Sequence, residues 1–127
     1  MPLAVSFNHC IVFAENAHES ASFFATLFDL PEPVAWGPFL SVTLEHGVVL
    51  QFAAPGIEIQ PQHYAFLVTE EEFDVIYQRL LDADLEHWAD PQCSQPGTFN
   101  RNFGGRGVYF RDPAGHGLEV LTRPDRS

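Results

Sequence analysis

Short apolar runs and one helical stripe alternate along the first half of the chain. Residues 6–13 form a β-prone run with a single histidine, His9. A stripe with apolar residues at i, i+4, i+7 and i+11 follows from Ala17, and Asn16 is placed to cap it, which predicts a helix. Further strand-like pieces lie at 33–36, 39–45 and 48–53. The first half therefore predicts the order β-α-β-β-β.

The second half repeats this pattern. Residues 62–69 form a second β-prone run, and its histidine, His63, lies 54 positions after His9. The segment Thr69–Glu72 has the sequence of a capping box, and apolar residues follow it at helical spacing. Strand-like pieces then lie at 85–89, 107–111 and 117–122. The extra length of this half falls in a loop, 91–105, that is rich in Gln, Asn, Gly and Pro.

A duplicated unit of this kind predicts an α+β fold. We expect one domain over residues 1–127, built from two tandem βαβββ modules at about 6–54 and 62–122. Each module contributes strands to a curved mixed sheet, with the helices on the outside and a site on the concave face.

Alternation along the strands places four polar residues on that concave face. Residues two apart share a face of a strand, and the uniformly apolar sets in the last strand of each module suit the face that a helix covers. The opposite face then holds His9, Gln51, His63 and Glu119. A lone strand histidine is more often structural, but symmetric positions in a duplicated unit favour a shared site. Ser41 and Thr43 alternate with core residues and are expected to face the same cavity.

Two imidazoles, a carboxylate and an amide oxygen suit one first-row divalent ion. Mn, Fe, Co and Ni fit four N/O ligands with room for two waters, and Zn fits with an expanded shell. The remaining histidines, by their positions in a helix, a turn, an outer strand and a hairpin, are read as surface groups. These are His18, His46, His87 and His116.

Composition excludes several classes of partner. The chain has 17 acidic and 6 basic residues, a formal net charge of -11, and no lysine. Nucleic acid and anionic membranes need a positive surface, so neither is expected as a partner. No apolar run approaches the ~20 residues of a membrane span, and no secretory signal is visible. Cys10 and Cys93 form no disulfide framework, so we expect reduced thiols and a cytoplasmic location.

The duplicated plan and the closing segment, 108–120, together resemble the vicinal oxygen chelate superfamily. That superfamily includes glyoxalase I, fosfomycin resistance proteins, extradiol dioxygenases, methylmalonyl-CoA epimerase and bleomycin resistance proteins. The resemblance implies that His9, His63 and Glu119 are metal ligands and that Glu119 also acts as a base. Gln51 stands where glyoxalase I enzymes have a fourth oxygen ligand, and Tyr109 lies in the strand next to Glu119, where related proteins often use a tyrosine.

The resemblance leaves several reactions open. The segment from Tyr109 to Glu119 fits the end of the extradiol signature, but Asn100 stands where that signature needs a catalytic histidine, and an amide cannot exchange a proton as imidazole does. The fosfomycin branch uses a cationic loop, which a chain without lysine lacks, although Arg101, Arg106 and Arg111 offer positive charge. The bleomycin-binding branch is acidic, as here, but has no metal ligands.

The function expected from the sequence is therefore metal-assisted chemistry on a small oxygenated substrate. We expect a lyase, isomerase or epimerase that chelates the substrate through two oxygens, with Ser41, Thr43, Asn100 and Arg111 as substrate contacts. A ligand- or drug-sequestering protein of the bleomycin-resistance type and an extradiol-type dioxygenase remain the alternatives. The superfamily commonly pairs modules between chains, so we expect a homodimer.

Overall fold

The computed structural model describes residues 1–124 and divides into two compact units. The first unit is Met1–Ile59, and the second begins at Gln60. Among the described residues, no helix is long and apolar enough to cross a membrane.

The first unit is one mixed four-stranded sheet with one helix. Its elements in chain order are β1 (His9–Phe13), α1 (Ala17–Leu27), β2 (Val34–Trp36), β3 (Phe39–Thr43) and β4 (Val49–Ala53), with a short 3-10 turn at Glu45–Gly47. The strand order is β1-β4-β3-β2, in which β1 and β4 run parallel and the other pairs run antiparallel.

The second unit has the same topology. Its elements are β5 (His63–Leu67), α2 (Glu70–Asp82), β6 (His87–Trp88), β7 (Gly107–Arg111) and β8 (Gly117–Leu121), with a 3-10 turn at Asn102–Gly104. The strand order is β5-β8-β7-β6. As with β1 and β4 in the first unit, the neighbouring strands β5 and β8 run parallel, and the other pairs run antiparallel. The α+β class and the repeated βαβββ order are thus confirmed.

Both helices begin where their caps predict. The side chain of Asn16 accepts a hydrogen bond from the backbone N–H of Glu19 at 3.0 Å. At α2, the Thr69 hydroxyl accepts from the Glu72 N–H at 3.1 Å, while the Glu72 carboxylate accepts from the Thr69 N–H at 2.8 Å. These contacts satisfy backbone donors that have no partner within the helix.

The apolar face of each sheet is the one that meets its helix. In the first unit, α1 packs on β3 and β4, and the rings of Phe24 and Phe52 lie 5.1 Å apart. In the second, Val108, Phe110, Leu118 and Val120 are fully buried. As a result, the alternate positions of β5, β7 and β8 lie on the face opposite α2.

Two of the four histidines read as surface groups lie in the interior of the second unit. His87 is 7% exposed, and its Nε2 lies 3.0 Å from the Tyr77 hydroxyl of α2. His116 is only 1% exposed. The prediction was wrong at both positions because each ring finds a hydrogen-bond partner inside the fold, which removes the cost of burying it. His18 and His46 are exposed as expected.

Candidate functional site

Three predicted site residues of the second unit lie side by side on the face of the sheet opposite α2. The register pairs His63 with Gly117 on β8, and Glu119 with both Ala65 on β5 and Tyr109 on β7. Because the neighbours of Glu119 along β8 point into the core, its own carboxylate points to the other face.

His63 and Glu119 are in direct contact. The Nε2 atom of His63 lies 3.1 Å from Oε1 of Glu119, and its Nδ1 lies 3.1 Å from the carbonyl oxygen of Gly117. A carbonyl only accepts, so Nδ1 donates its proton to Gly117. In the neutral ring, the Nε2 lone pair then faces a carboxylate oxygen.

Two facing lone pairs at this distance require a cation between them, either a proton or a metal ion. Two adjacent ligands of an octahedral ion, each at about 2.1 Å, lie about 3.0 Å apart, which is close to the observed separation. Glu119 is 5% exposed although it is an acid, and a buried carboxylate is normally paired or metal-bound. The donor set therefore fits a divalent ion.

A short turn before β8 holds His63 in place. His116 accepts a hydrogen bond at Nδ1 from the backbone N–H of Gln62 at 2.9 Å, and the Gly117 N–H donates to the Gln62 carbonyl at 2.8 Å. With the bond between His63 and Gly117, three hydrogen bonds join 116–117 to 62–63. We call this set the 62/116 clamp.

A buried carboxylate, Asp112, stabilises the turn that forms the 62/116 clamp, and the sequence pattern did not identify it as a site residue. Oδ1 of Asp112 accepts from the backbone N–H of His116 at 2.7 Å and from that of Ala114 at 3.1 Å. Burial raises the pKa of Asp112, while its hydrogen bonds and His116 oppose that rise. A histidine between two glycines in a hairpin turn is typical of an exposed position. Asp112, four residues before His116, was the sequence feature that could have predicted a turn closed by a side-chain hydrogen bond.

Of the other predicted residues of this unit, Tyr109 and Arg111 share the face of the pair, and Asn100 lies in the 91–105 loop. The Tyr109 ring stacks on the His63 ring, with centroids 6.2 Å apart and planes 25° apart. Arg111 shares the face of Tyr109 and lies with its guanidinium carbon 4.8 Å from the centre of the Trp88 ring. Asn100 braces the 91–105 loop by donating from its side chain to the Ala89 carbonyl at 2.8 Å. Its predicted contact with substrate stays a prediction.

The first unit repeats this arrangement in its own sheet. His9 pairs in register with Val49, and Gln51 pairs with both Ile11 and Ser41. His9, Gln51 and Ser41 thus occupy the positions that His63, Glu119 and Tyr109 hold in the second unit. Thr43 likewise matches Arg111. The Nδ1 atom of His9 lies 2.7 Å from the Asn8 side-chain oxygen.

Within residues 1–124, no three His, Cys, Asp or Glu side chains gather as a metal cluster. The four-ligand set therefore stays a prediction. A cavity of about 510 Å³ lies beside α1 and the segment that follows it. It contains none of the predicted site residues, so we do not associate it with the chemistry.

Comparison with known proteins finds two transferases with related sequences. No family model matches the chain. Glutathione transferase FosA of Serratia marcescens is 30% identical over 122 residues, covering 91% of this chain and 79% of the relative. Metallothiol transferase FosB of Shouchella clausii is 28% identical over 127 residues, with 91% and 78% covered.

Solved structures give a higher similarity. Oxidase ChaP-H1 is 48% identical, with a TM-score of 0.94, and the match covers 98% of this chain and 100% of that one. A glyoxalase/dioxygenase from Nostoc punctiforme has a TM-score of 0.72 at 19% identity, with 94% and 91% covered. The second likeness concerns the fold alone.

Proposed function

This chain belongs to the vicinal oxygen chelate superfamily, and we propose that it is a metal-dependent oxidase acting on a small substrate with two adjacent oxygen atoms. The observation that carries the proposal is the 48% identity to an oxidase over 98% of the chain. The contact between His63 and Glu119 supports it, because this pair supplies a nitrogen and an oxygen donor to one ion.

The divalent metal ion expected from the sequence agrees with membership of this superfamily. The FosB relative is named a metallothiol transferase. We propose that His63, Glu119 and His9 hold the ion and that Gln51 is a fourth ligand or a neighbour of the substrate. A first-row divalent ion at such a site supplies Lewis acidity and, if it is redox-active, one-electron chemistry towards dioxygen.

The chain's own groups prepare the substrate. The Gly117 carbonyl accepts a hydrogen bond from Nδ1 of His63 and so keeps the proton of the ring on that nitrogen. The lone pair of Nε2 is then available to coordinate a metal ion. Glu119 accepts the proton that a substrate hydroxyl loses on binding, because its carboxylate lies on the same face as His63. Tyr109 lies on the same face, with its ring stacked beside that of His63 at a centroid separation of 6.2 Å, and is placed to contact the substrate.

Thiol transfer is the second candidate, since FosA is 30% identical over most of the chain. Arg106 would not bind an anionic substrate of such a reaction, because its guanidinium bonds the carboxylates of Glu70 and Asp74, each at 2.8 Å. The lyase, isomerase or epimerase chemistry expected from the sequence stays a prediction.

One panel of assays separates these reactions. The protein is purified without an affinity tag or added metal, and its metal content is measured. Oxygen uptake is then followed on catechols, 2-oxo-aldehyde hemithioacetals and 2-methyl acyl thioesters, and thiol loss is followed with an epoxide. We expect near-stoichiometric metal and oxygen uptake on a catechol.

Three variants test the roles of the residues. His63→Ala is expected to lose both metal and oxygen uptake. Glu119→Gln should keep some metal but lose at least about 100-fold in turnover, because an amide cannot accept a proton. Gln51→Ala should lose less, because water replaces an amide ligand.

Turnover without oxygen uptake would contradict the oxidase assignment and favour a lyase or isomerase, and thiol consumption would favour transfer. Tight ligand binding by metal-free protein with no turnover would favour the sequestering alternative.

A further inference from the structure

Three arginines lie near the closing segment, and two of them, Arg106 and Arg101, pack on the side of the second unit that carries α2. Arg106 pairs with two carboxylates of α2 and packs its guanidinium 4.5 Å from the Phe73 ring centre. Arg101 lies 5.2 Å from the centre of Phe99, whose ring contacts Phe73. Both cations therefore stabilise the packing around α2.

Arg111 is on the other face of the sheet, with Glu119 and His63. It pairs in register with Gly117, which in turn pairs with His63 on β5. Two strand spacings of about 4.8 Å separate the backbones of Arg111 and His63, or about 10 Å in all. The position between them holds Gly117, which adds no side chain of its own, and the nearest side-chain atom to the place of its missing Cβ is Nδ1 of His63, at 3.8 Å.

The Arg111 side chain is held but not neutralised. Its guanidinium carbon lies 4.8 Å from the centre of Trp88, whose side chain is 8% exposed, and one terminal nitrogen lies 3.6 Å from Sγ of Cys93. No carboxylate of residues 1–124 forms an ion pair with it, in a chain that has 17 acids. A fixed guanidinium without a counterion is suited to bind a planar anion through two parallel N–H bonds.

We propose that Arg111 is a specificity-determining residue that binds a carboxylate of the substrate. The inference rests on the proposed function. In that proposal, the two adjacent oxygens of the same substrate bind the ion that His63 and Glu119 hold. Tyr109, which is partly exposed on this face and pairs in register with Glu119, presents an aromatic side chain against which a flat ring can pack. The substrate class is therefore an ortho-dihydroxy aromatic ring with a carboxylate.

The test is a binding measurement that does not depend on turnover. Protein loaded with Zn, which has no redox chemistry, is titrated calorimetrically with 3,4-dihydroxybenzoate and with catechol. We expect the wild type to bind the carboxylate about 10- to 100-fold more tightly, the range of a charge-assisted, bidentate contact. Arg111→Gln should lose that preference while its catechol affinity stays within about twofold, and Arg111→Lys should keep part of it.

Arg101→Gln is the matched control, because it also removes an exposed guanidinium that lies over an aromatic ring, but on the side of α2. It should keep the full carboxylate preference. Thermal melts of each variant report whether it is folded, and Arg111→Lys provides a second test if Arg111→Gln is not.

Equal affinity of the wild type for both probes would overturn the proposal, as would an unchanged preference in Arg111→Gln. The proposed function fails separately. If the protein contains metal and takes up oxygen with another substrate of the panel, the carboxylate assignment alone is wrong. If it binds no metal at all, the oxidase proposal itself is wrong.

Discussion

The 62/116 clamp predicts that a residue outside the ligand set controls metal affinity. The perturbation is His116→Phe, which keeps a ring of similar size in the buried space and preserves its edge contact with Tyr64, now 5.5 Å between ring centres. It removes the 2.9 Å bond in which Nδ1 accepts from the Gln62 N–H, together with the charge interaction between His116 and Asp112. The position and angle of His63, the next residue, depend on that bond.

The expected loss of stability follows from the environment of this bond. Leaving a buried donor without an acceptor costs about 1–3 kcal/mol, and the Gln62 N–H is only partly buried, so about 1–2 kcal/mol applies. For a chain of this length the loss corresponds to roughly 3–8 °C in Tm. Displacing a group that orients a metal ligand typically costs about 10- to 100-fold in affinity.

Urea unfolding of the metal-free protein and a competitive metal titration measure the two effects. His18→Phe is the matched control, because it makes the same substitution at an exposed position of α1, and it should match the wild type in both. His116→Asn, whose amide oxygen lies close to the position of Nδ1, should recover metal affinity better than it recovers stability. Wild-type metal affinity in a folded His116→Phe protein would refute the role of the clamp.

Three further predictions concern the helices and the assembly. Thr69→Ala should lower the free energy of unfolding by about 1 kcal/mol in urea melts, since it removes half of a capping box, and an unchanged midpoint would contradict the contact. Hydrogen bonds from Thr122 and then Arg106 lower the pKa of Glu70, so Arg106→Gln should destabilise the protein at pH 7. That difference should shrink as the pH falls below about 4 and Glu70 is protonated; a difference that grows in acid would refute it. Sedimentation across micromolar concentrations should show a homodimer, and a single monomeric species would contradict that expectation.

Much of the fold was predictable because local and periodic signals agree in this chain. Asn16 and Thr69 mark the helix starts, and the alternation around Leu50 and Leu118 identifies the face that meets each helix. Strand ends were less predictable. The outer strand predicted over 85–89 reduces to His87–Trp88, because the following loop turns away once Asp90 accepts hydrogen bonds from Ser94 and Gln95.

The site was only partly predictable. His63 and Glu119 could be placed on one face because period-two alternation needs no tertiary information. His116 and Arg106 could not be placed, since a buried histidine and a paired arginine depend on groups distant in sequence, Gln62 for the first and Glu70 for the second. Long-range pairing of polar groups leaves little periodic trace in a sequence.

The bond from His63 to the Gly117 carbonyl has a consequence for how this site tolerates mutation. The group that orients the imidazole belongs to the main chain, so no amino-acid substitution at position 117 deletes it. A side-chain acceptor would be lost through a single codon change. The orientation of this ligand is therefore protected from sequence drift, and variants that damage it are expected to act by moving the β5 and β8 backbones apart.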